Sequence, residues 1–147
     1  MQTEMIRKKK TTELLKALHS TAHFDDYVIR NRDHLVEGDF LQELTDLFRQ
    51  MNRTKAELSR TSGISEPYLH QIFSGKRIPS RDKLICLCIG MRLSEADTQK
   101  LLRLCGHAGL YARDVRDAAI LFGIAHDETL SEINEHMFEI HQDPLIE

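Results

Sequence analysis

The chain has 147 residues, of which 41% are hydrophobic and 29% charged, and its formal net charge at pH 7 is −3. No apolar run approaches the roughly 18 residues that a membrane-spanning helix requires, and no apolar segment follows the basic N-terminal stretch, which argues against a signal peptide. The odd number of cysteines, three, fits a reducing compartment. We therefore expect a cytoplasmic protein without a membrane partner.

Charge is distributed unevenly along the chain. Residues 40–90 contain eight basic and five acidic side chains, whereas residues 106–147 contain two basic and nine acidic ones. The local field, rather than the net charge, decides whether a surface attracts phosphate. The overall negative charge therefore does not exclude a nucleic acid as the partner.

The first 38 residues are predicted to form an N-terminal helical extension. Residues 7–10 are all basic and could contact a DNA backbone or RNA, but a solvated terminus is the simpler interpretation. Apolar residues at helical spacing over 12–19 and 24–35 predict one or two short helices that pack on the rest of the chain.

Residues 39–106 are predicted to form a helical domain of their own. Asp39 and Gln42 have the spacing of a capping box, and the apolar residues behind them predict an amphipathic helix. Further helices are expected at 81–88 and at 95–105, each preceded by a serine that can cap it. Strand-like alternation is almost absent from the chain, so the predicted fold class is all-α.

The domain is organised around a pair of short helices joined by a glycine. Thr54 can cap the first helix, and Gly63 ends it at a position that favours a left-handed backbone. Ser65 caps the second helix, in which Pro67 is tolerated because it lies in the first turn. Two helices joined by such a turn form the arrangement that places a second helix in the major groove of DNA.

This helix pair resembles the lambda-repressor/Cro-type (XRE-like) helix-turn-helix family, and the resemblance extends over about residues 40–105. The sequence departs from the family at Ser62, where an apolar residue is usual, and at Phe73, where glutamate is frequent. The resemblance implies a five-helix DNA-binding domain and a sequence-specific transcriptional regulator that acts as a repressor. The matching residues are Lys55, Ala56, Glu57, Leu58, Ser59, Gly63, Ile64, Ser65, Leu69, Ile72, Ser74, Gly75, Lys76 and Arg77.

The resemblance also implies which residues meet double-stranded DNA. The family reads bases from the start and the outer face of its second motif helix, where Gln71 can pair with adenine through two hydrogen bonds. The alternative is that these residues are ordinary solvent-facing side chains of a core helix and a loop. The expected base contacts are Lys55, Glu66, Pro67, Tyr68 and Gln71. The expected phosphate contacts are Thr54, Ser74, Lys76, Arg77 and Arg81.

Residues 107–147 carry more apolar surface than a five-helix domain requires. The pattern over 112–124, and the capping-box spacing of Thr129 and Glu132, predict two amphipathic helices. Their apolar faces either cover the core or contact another subunit. We regard this segment as a candidate dimerisation element, because a two-fold homodimer would read both halves of a palindromic operator.

No arrangement of catalytic residues is evident in the sequence, so we expect neither an enzyme nor a cofactor. Cys86 and Cys88, together with Cys105 and His107, imitate a set of zinc ligands. Residues two apart on a helix point about 200° from each other. Free cysteines buried in the core are therefore the better interpretation, and no metal is predicted.

An interaction adaptor is the alternative function. Such a protein would keep the helix-turn-helix fold but bind a protein partner, here through the C-terminal helices. The acidic C-terminal segment, the overall negative charge and the carboxylate of Glu66 favour this alternative.

Overall fold

The computed structural model of the protein describes residues 9–32, 35 and 38–146. The regular secondary structure of these residues is helical, without a strand, which confirms the all-α prediction. Half of the basic run at 7–10 lies outside the described residues, because they begin at Lys9. The α-helices are α1 (Thr11–Ser20), α2 (Phe24–Asn31), α3 (Phe40–Met51), α4 (Lys55–Ser62), α5 (Glu66–Phe73), α6 (Arg81–Gly90), α7 (Glu95–Leu104), α8 (Val115–Ala125) and α9 (Leu130–Glu139).

The chain divides into two compact units, residues 1–37 and 38–147. The first unit contains α1 and α2, which pack against each other. Its buried residues in α2 are Tyr27 and Asn31. The side-chain amide of Asn31 donates to the carbonyl oxygen of Tyr27 at 3.0 Å and accepts a hydrogen bond from Nζ of Lys9 at 2.6 Å. Both polar ends of this buried amide are therefore satisfied.

The second unit has a hydrophobic core to which every helix from α3 to α9 contributes. Helix α6 lies at its centre, because all seven residues from Leu84 to Gly90 are buried. Helices α8 and α9 add Ile120, Ile133 and Met137, none of which is exposed. The apolar faces of the C-terminal helices therefore cover the core, which was one of the two alternatives that the sequence left open.

Helices α4 and α5 are joined by the predicted turn at Gly63, whose φ angle is 70°. Glycine adopts this left-handed conformation without the steric cost that a Cβ atom imposes. Ile64 follows and is buried, and its carbonyl oxygen accepts a hydrogen bond from Oγ of Ser59 at 2.6 Å. The turn is therefore held by a buried side chain and by a hydrogen bond back to α4.

Ser62 departs from the family pattern at a position where α4 and α6 lie very close together. A Cβ atom on Gly90 of α6 would lie 2.8 Å from the Cβ atom of Ser62. The hydroxyl group of Ser62 is buried but donates to the carbonyl oxygen of Leu58 at 2.6 Å and accepts from the N–H group of Ile64. The small side chain fits this crossing, and its polar atom is fully paired.

Helix caps follow the sequence, although not every capping box is complete. Side-chain oxygens of the predicted residues at 39, 54, 65, 80, 94 and 129 accept from backbone N–H groups. Gln42, however, donates to Asp46 at 2.9 Å instead of returning to Asp39. The reciprocal pair does form between Thr129 and Glu132.

Two ion pairs fasten α8 to the start of α6. Arg81 pairs with Asp117 at 2.9 Å, and the neighbouring Asp82 pairs with Arg116 at the same distance. The adjacent residues of each helix carry opposite charges, so a shift of one position along either helix would oppose like charges. This arrangement favours one register between α6 and α8.

The C-terminal segment that follows α9, residues 140–146, returns across the second unit to the turn between α4 and α5. Arg116 donates to the carbonyl oxygens of Asp143 and Pro144, and the N–H group of Leu145 donates to Oδ1 of Asn134 at 2.9 Å. Ile146 then lies so close to the turn that a Cβ atom on Gly63 would overlap its Cδ1 atom.

Candidate nucleic-acid interface

Helix α5 has a buried face and an exposed face. Leu69 and Ile72 are fully buried, whereas Glu66, Pro67 and Gln71 are exposed. Tyr68 is half-buried and packs against the core, which leaves part of its ring on the surface. Three of the four base-contacting residues predicted on this helix are therefore accessible to a partner, and the fourth is partly so.

Two basic side chains contact the ring of Tyr68. The guanidinium carbon of Arg77 lies 4.8 Å from the ring centroid, and Nζ of Lys83 lies 5.5 Å from it. Both distances are within the range in which a cation is attracted to an aromatic face. Nε of Arg77 also donates to Oε1 of Gln71 at 2.8 Å, so one arginine orients two of the predicted base-contacting side chains.

The loop after α5 folds back toward the helix that it leaves. The N–H groups of Lys76 and Arg77 both donate to the carbonyl oxygen of Gln71, and the hydroxyl of Ser74 donates to the same oxygen. Ser74, Lys76 and Arg77 are all exposed. The predicted phosphate contacts of this loop therefore lie beside the exposed face of α5.

Lys55 and Thr54 occupy the start of α4, as predicted. Oγ1 of Thr54 accepts from the N–H group of Glu57 at 3.1 Å, and Nζ of Lys55 lies 5.5 Å from the ring centroid of Phe73. Phe73 packs in turn against Phe48, with ring centroids 4.9 Å apart. Phe73, one of the two residues at which the sequence departs from the family, therefore brings its ring at the end of α5 against Lys55 at the start of α4.

Arg81 differs from the other predicted phosphate contacts because it is engaged within the fold. Its guanidinium group donates to both carboxylate oxygens of Asp117 and to the carbonyl oxygens of Ala108 and Gly109. Four of the five N–H donors of an arginine are thereby used. The structure gives Arg81 a stabilising role, and its phosphate contact stays a prediction.

Lys83 and His70 also lie near this surface, although the sequence did not predict a DNA contact for either residue. His70 is exposed on α5, and its Nε2 atom is 3.7 Å from Oε1 of Glu66. A histidine three residues before the end of a helix carries no signal that would separate it from other exposed residues. Lys83 could have been noticed only as a basic residue in the first turn of α6.

Acidic side chains adjoin one edge of the basic surface that Lys76, Arg77 and Lys83 form beside α5. Lys83 shares a cleft of about 690 Å³ with Asp82 and Asp143. The negative charge of Asp82 is paired with the positive charge of Arg116 at 2.9 Å. The C-terminal segment therefore reaches the edge of this surface, while Gln71, Lys76 and Arg77 remain exposed.

Two of the three cysteines are core residues, as expected, whereas Cys105 is only partly buried. Cys86 and Cys88 are buried in α6, and burial raises the pKa of both thiols to about 12, so they stay protonated near neutral pH. Nε2 of His107 lies 2.9 Å from the carbonyl oxygen of Pro79. Within residues 9–32, 35 and 38–146, no group of three or more potential ligands is placed to hold a metal ion.

The segment that contains this surface matches a known protein family. Residues 45–96, about a third of the chain, match the family model described as helix-turn-helix. The match begins within α3, ends within α7 and contains the whole α4–α5 motif. The segment is therefore a helix-turn-helix domain, the type of domain with which transcription regulators bind DNA.

More narrowly, the match is to the lambda-repressor (XRE-like) type of helix-turn-helix, in agreement with the resemblance that the sequence shows. No curated protein and no solved structure shows significant similarity to the chain. Among the described residues, no helix has both the length and the apolar character needed to cross a membrane.

Proposed function

We propose that the protein is a sequence-specific transcriptional repressor that reads the major groove of double-stranded DNA with α5. The observation that carries this proposal is the placement of Gln71 on the exposed face of α5, held by Arg77, which also stacks on Tyr68. A glutamine whose orientation is restrained before binding loses less conformational entropy when it pairs with a base.

The proposed contacts divide into two groups. Base contacts come from Lys55, Glu66, Pro67, Tyr68 and Gln71, at the start and on the exposed face of the motif helices. Phosphate contacts come from Thr54, Ser74, Lys76, Arg77 and Arg81, with Arg81 restricted to its one remaining donor. Phosphate contacts supply affinity that depends on salt, whereas base contacts supply preference for sequence.

We further propose that the protein binds DNA as a homodimer. A single motif of this type makes few base contacts, and two half-sites one helical turn apart multiply specificity. Phe122 of α8 and Phe138 of α9 support an interface at the C-terminal helices, because their side chains are exposed although both helices also bury residues in the core. Exposed aromatic residues of this kind are enriched where subunits meet.

The test is selection of bound sites from random double-stranded DNA, followed by affinity measurements at several salt concentrations. We expect one enriched sequence with two-fold symmetry, and an affinity that falls as salt rises. Equal binding of all sequences, with no effect of salt, would contradict the proposal.

The adaptor is the second candidate function, and the exposure of Phe138 in an acidic segment favours it, because this surface suits a protein partner as well as a second copy. The double substitution Lys76→Ala with Arg77→Ala distinguishes the two functions. A repressor should lose affinity for every DNA sequence. An affinity that does not change would favour the adaptor.

A further inference from the structure

A cleft of about 510 Å³ lies beside the helix-turn-helix turn, between the end of α4, the end of α6 and the start of α9. Its volume falls within the range of about 300–1,000 Å³ that is typical of sites for small organic molecules. Ile89, Leu130 and Ile146 supply apolar walls. The DNA-contacting residues proposed above do not line this cleft, so it has no role in the proposed function.

Two side chains that line the cleft, Arg60 and Asn134, can donate hydrogen bonds to a ligand. Arg60 lies at its rim, is exposed and forms no ion pair with any residue that the structure describes. Asn134 also lines the cleft, and its Oδ1 atom is occupied by the N–H group of Leu145 at 2.9 Å. This bond fixes the amide, so that its NH2 group is left for a ligand.

The first turn of α9 adds further donors. The capping box occupies the N–H groups of Thr129 and Glu132 but leaves those of Leu130 and Ser131, which line the cleft. The positive end of the helix dipole lies at the same place. The carboxylate of Glu128 also lines the cleft, but it is bonded to Nε2 of His136 at 2.9 Å, so its charge has a partner.

We propose that this cleft binds a small organic anion, one carboxylate, sulfonate or phosphate group attached to an apolar body. The apolar body lies against Ile89, Leu130 and Ile146, and the anionic group meets Arg60 and the NH2 group of Asn134. A neutral apolar molecule would gain nothing from the charge of Arg60, and an inorganic anion would leave the apolar walls in water. The site requires both parts of the ligand.

The test uses 8-anilinonaphthalene-1-sulfonate, a fluorescent anion with an apolar body, and it needs no DNA. We expect saturable binding of one dye per chain to the intact protein. Arg60→Ala should weaken binding by about tenfold, the loss expected for one charge-assisted contact. Ser131→Phe should abolish binding by filling the cleft. Arg103→Ala, on an exposed arginine of α7, is the matched control and should leave binding unchanged.

Three results would overturn the proposal. The first is equal affinity of the wild type and Arg60→Ala, a substitution of an exposed side chain that should not disturb folding even if Ser131→Phe does. The second is equally tight binding of the uncharged analogue N-phenyl-1-naphthylamine. The third is loss of binding in Phe138→Ala, which would place the dye on the exposed surface of α9 instead.

Discussion

At the scale of single residues, a few contacts in the candidate interface link the expected phosphate contacts to the expected base contacts. Arg77 is predicted to hold phosphate, yet it also bonds to Gln71 and stacks on Tyr68. An arginine in this position would orient the two side chains that we propose as base contacts before DNA binds. Its contribution to affinity should therefore exceed that of Lys76, which has no such contact through its side chain among the described residues.

The substitution Gln71→Ala should relax preference at one position of the operator, at a cost of about 1–3 kcal/mol on the preferred sequence. Arg77→Ala should weaken binding to all sequences and reduce the salt dependence. Both effects can be measured by titrating each variant with the selected site and with single-base variants of it. Gln142→Ala, in the C-terminal segment, serves as the control. If both variants lost affinity equally on every sequence, the division between base and phosphate contacts would be wrong.

A second residue-scale prediction concerns His136. Its hydrogen bond to Glu128 raises the pKa of the imidazole above the ordinary value of about 6.5. The bond therefore stabilises the fold fully below pH 6.5, and this contribution is lost as the pH rises through the raised pKa. Denaturant titrations at pH 6 and pH 8 should show a higher free energy of unfolding at pH 6, relative to a Glu128→Gln variant. An identical pH dependence in both proteins would refute this assignment.

At the scale of elements, helix pairs are positioned by contacts between residues far apart in the chain. The Arg81–Asp117 pair is the strongest case, because the side chain of Asp117 is only 9% exposed and accepts from Tyr111 as well as from Arg81. Removing the arginine leaves a nearly buried carboxylate without its charged partner.

Arg81→Ala is therefore expected to lower the free energy of unfolding by about 2 kcal/mol, less than for a fully buried pair because the arginine is partly exposed. Arg77→Ala, on an exposed arginine, should change stability by less than about 0.5 kcal/mol. Thermal or denaturant unfolding in the absence of DNA separates the two. Equal stability of both variants would show that Arg81 is not needed to hold α8 against α6.

The crossing of α4 and α6 gives a prediction that runs against the family pattern. Ser62→Leu restores an apolar residue but places it against Gly90, where there is no space. We expect a loss of about 1–3 kcal/mol from overpacking. Ser62→Ala also loses both hydrogen bonds of the hydroxyl group but adds no volume, so it should cost less, about 1 kcal/mol. Denaturant titration of both variants provides the measurement, and a leucine variant as stable as the wild type would mean that the crossing can widen.

At the scale of the whole molecule, the C-terminal helices belong to the core of the second unit, and this changes how dimerisation can be tested. Deleting residues 127–147 would remove Ile133, Met137 and Leu145 from the core, so any change of mass would be confounded by unfolding. The side chain of Phe138 is 82% exposed and can be changed without disturbing that core.

Phe138→Glu is expected to convert a dimer into a monomer, because it places a charge at the centre of the proposed contact. Sedimentation or light scattering of the purified protein measures the mass in solution. Ile78→Glu, at an exposed apolar residue in the loop before α6, is the matched control. A dimer that survives Phe138→Glu would place the interface elsewhere.

The helices and the motif turn could be predicted because their signals are local. Caps at Thr54, Ser65 and Thr129, the break at Gly63 and the apolar spacing of each helix act over a few residues, and the structure has them where the sequence indicates. The exposure of Gln71 follows in the same way, since burial of Leu69 and Ile72 turns the opposite face of α5 outward.

The sequence by itself therefore determined the all-helical class, the motif and the face of α5 that points outward. Only the tertiary structure decided that Arg81 serves Asp117, that Lys83 joins Arg77 at Tyr68, and that α8 and α9 complete the core. The physical reason is distance along the chain. Arg81 and Asp117 are 36 residues apart, and no helical period relates two side chains at that separation. Their meeting depends on how whole helices pack.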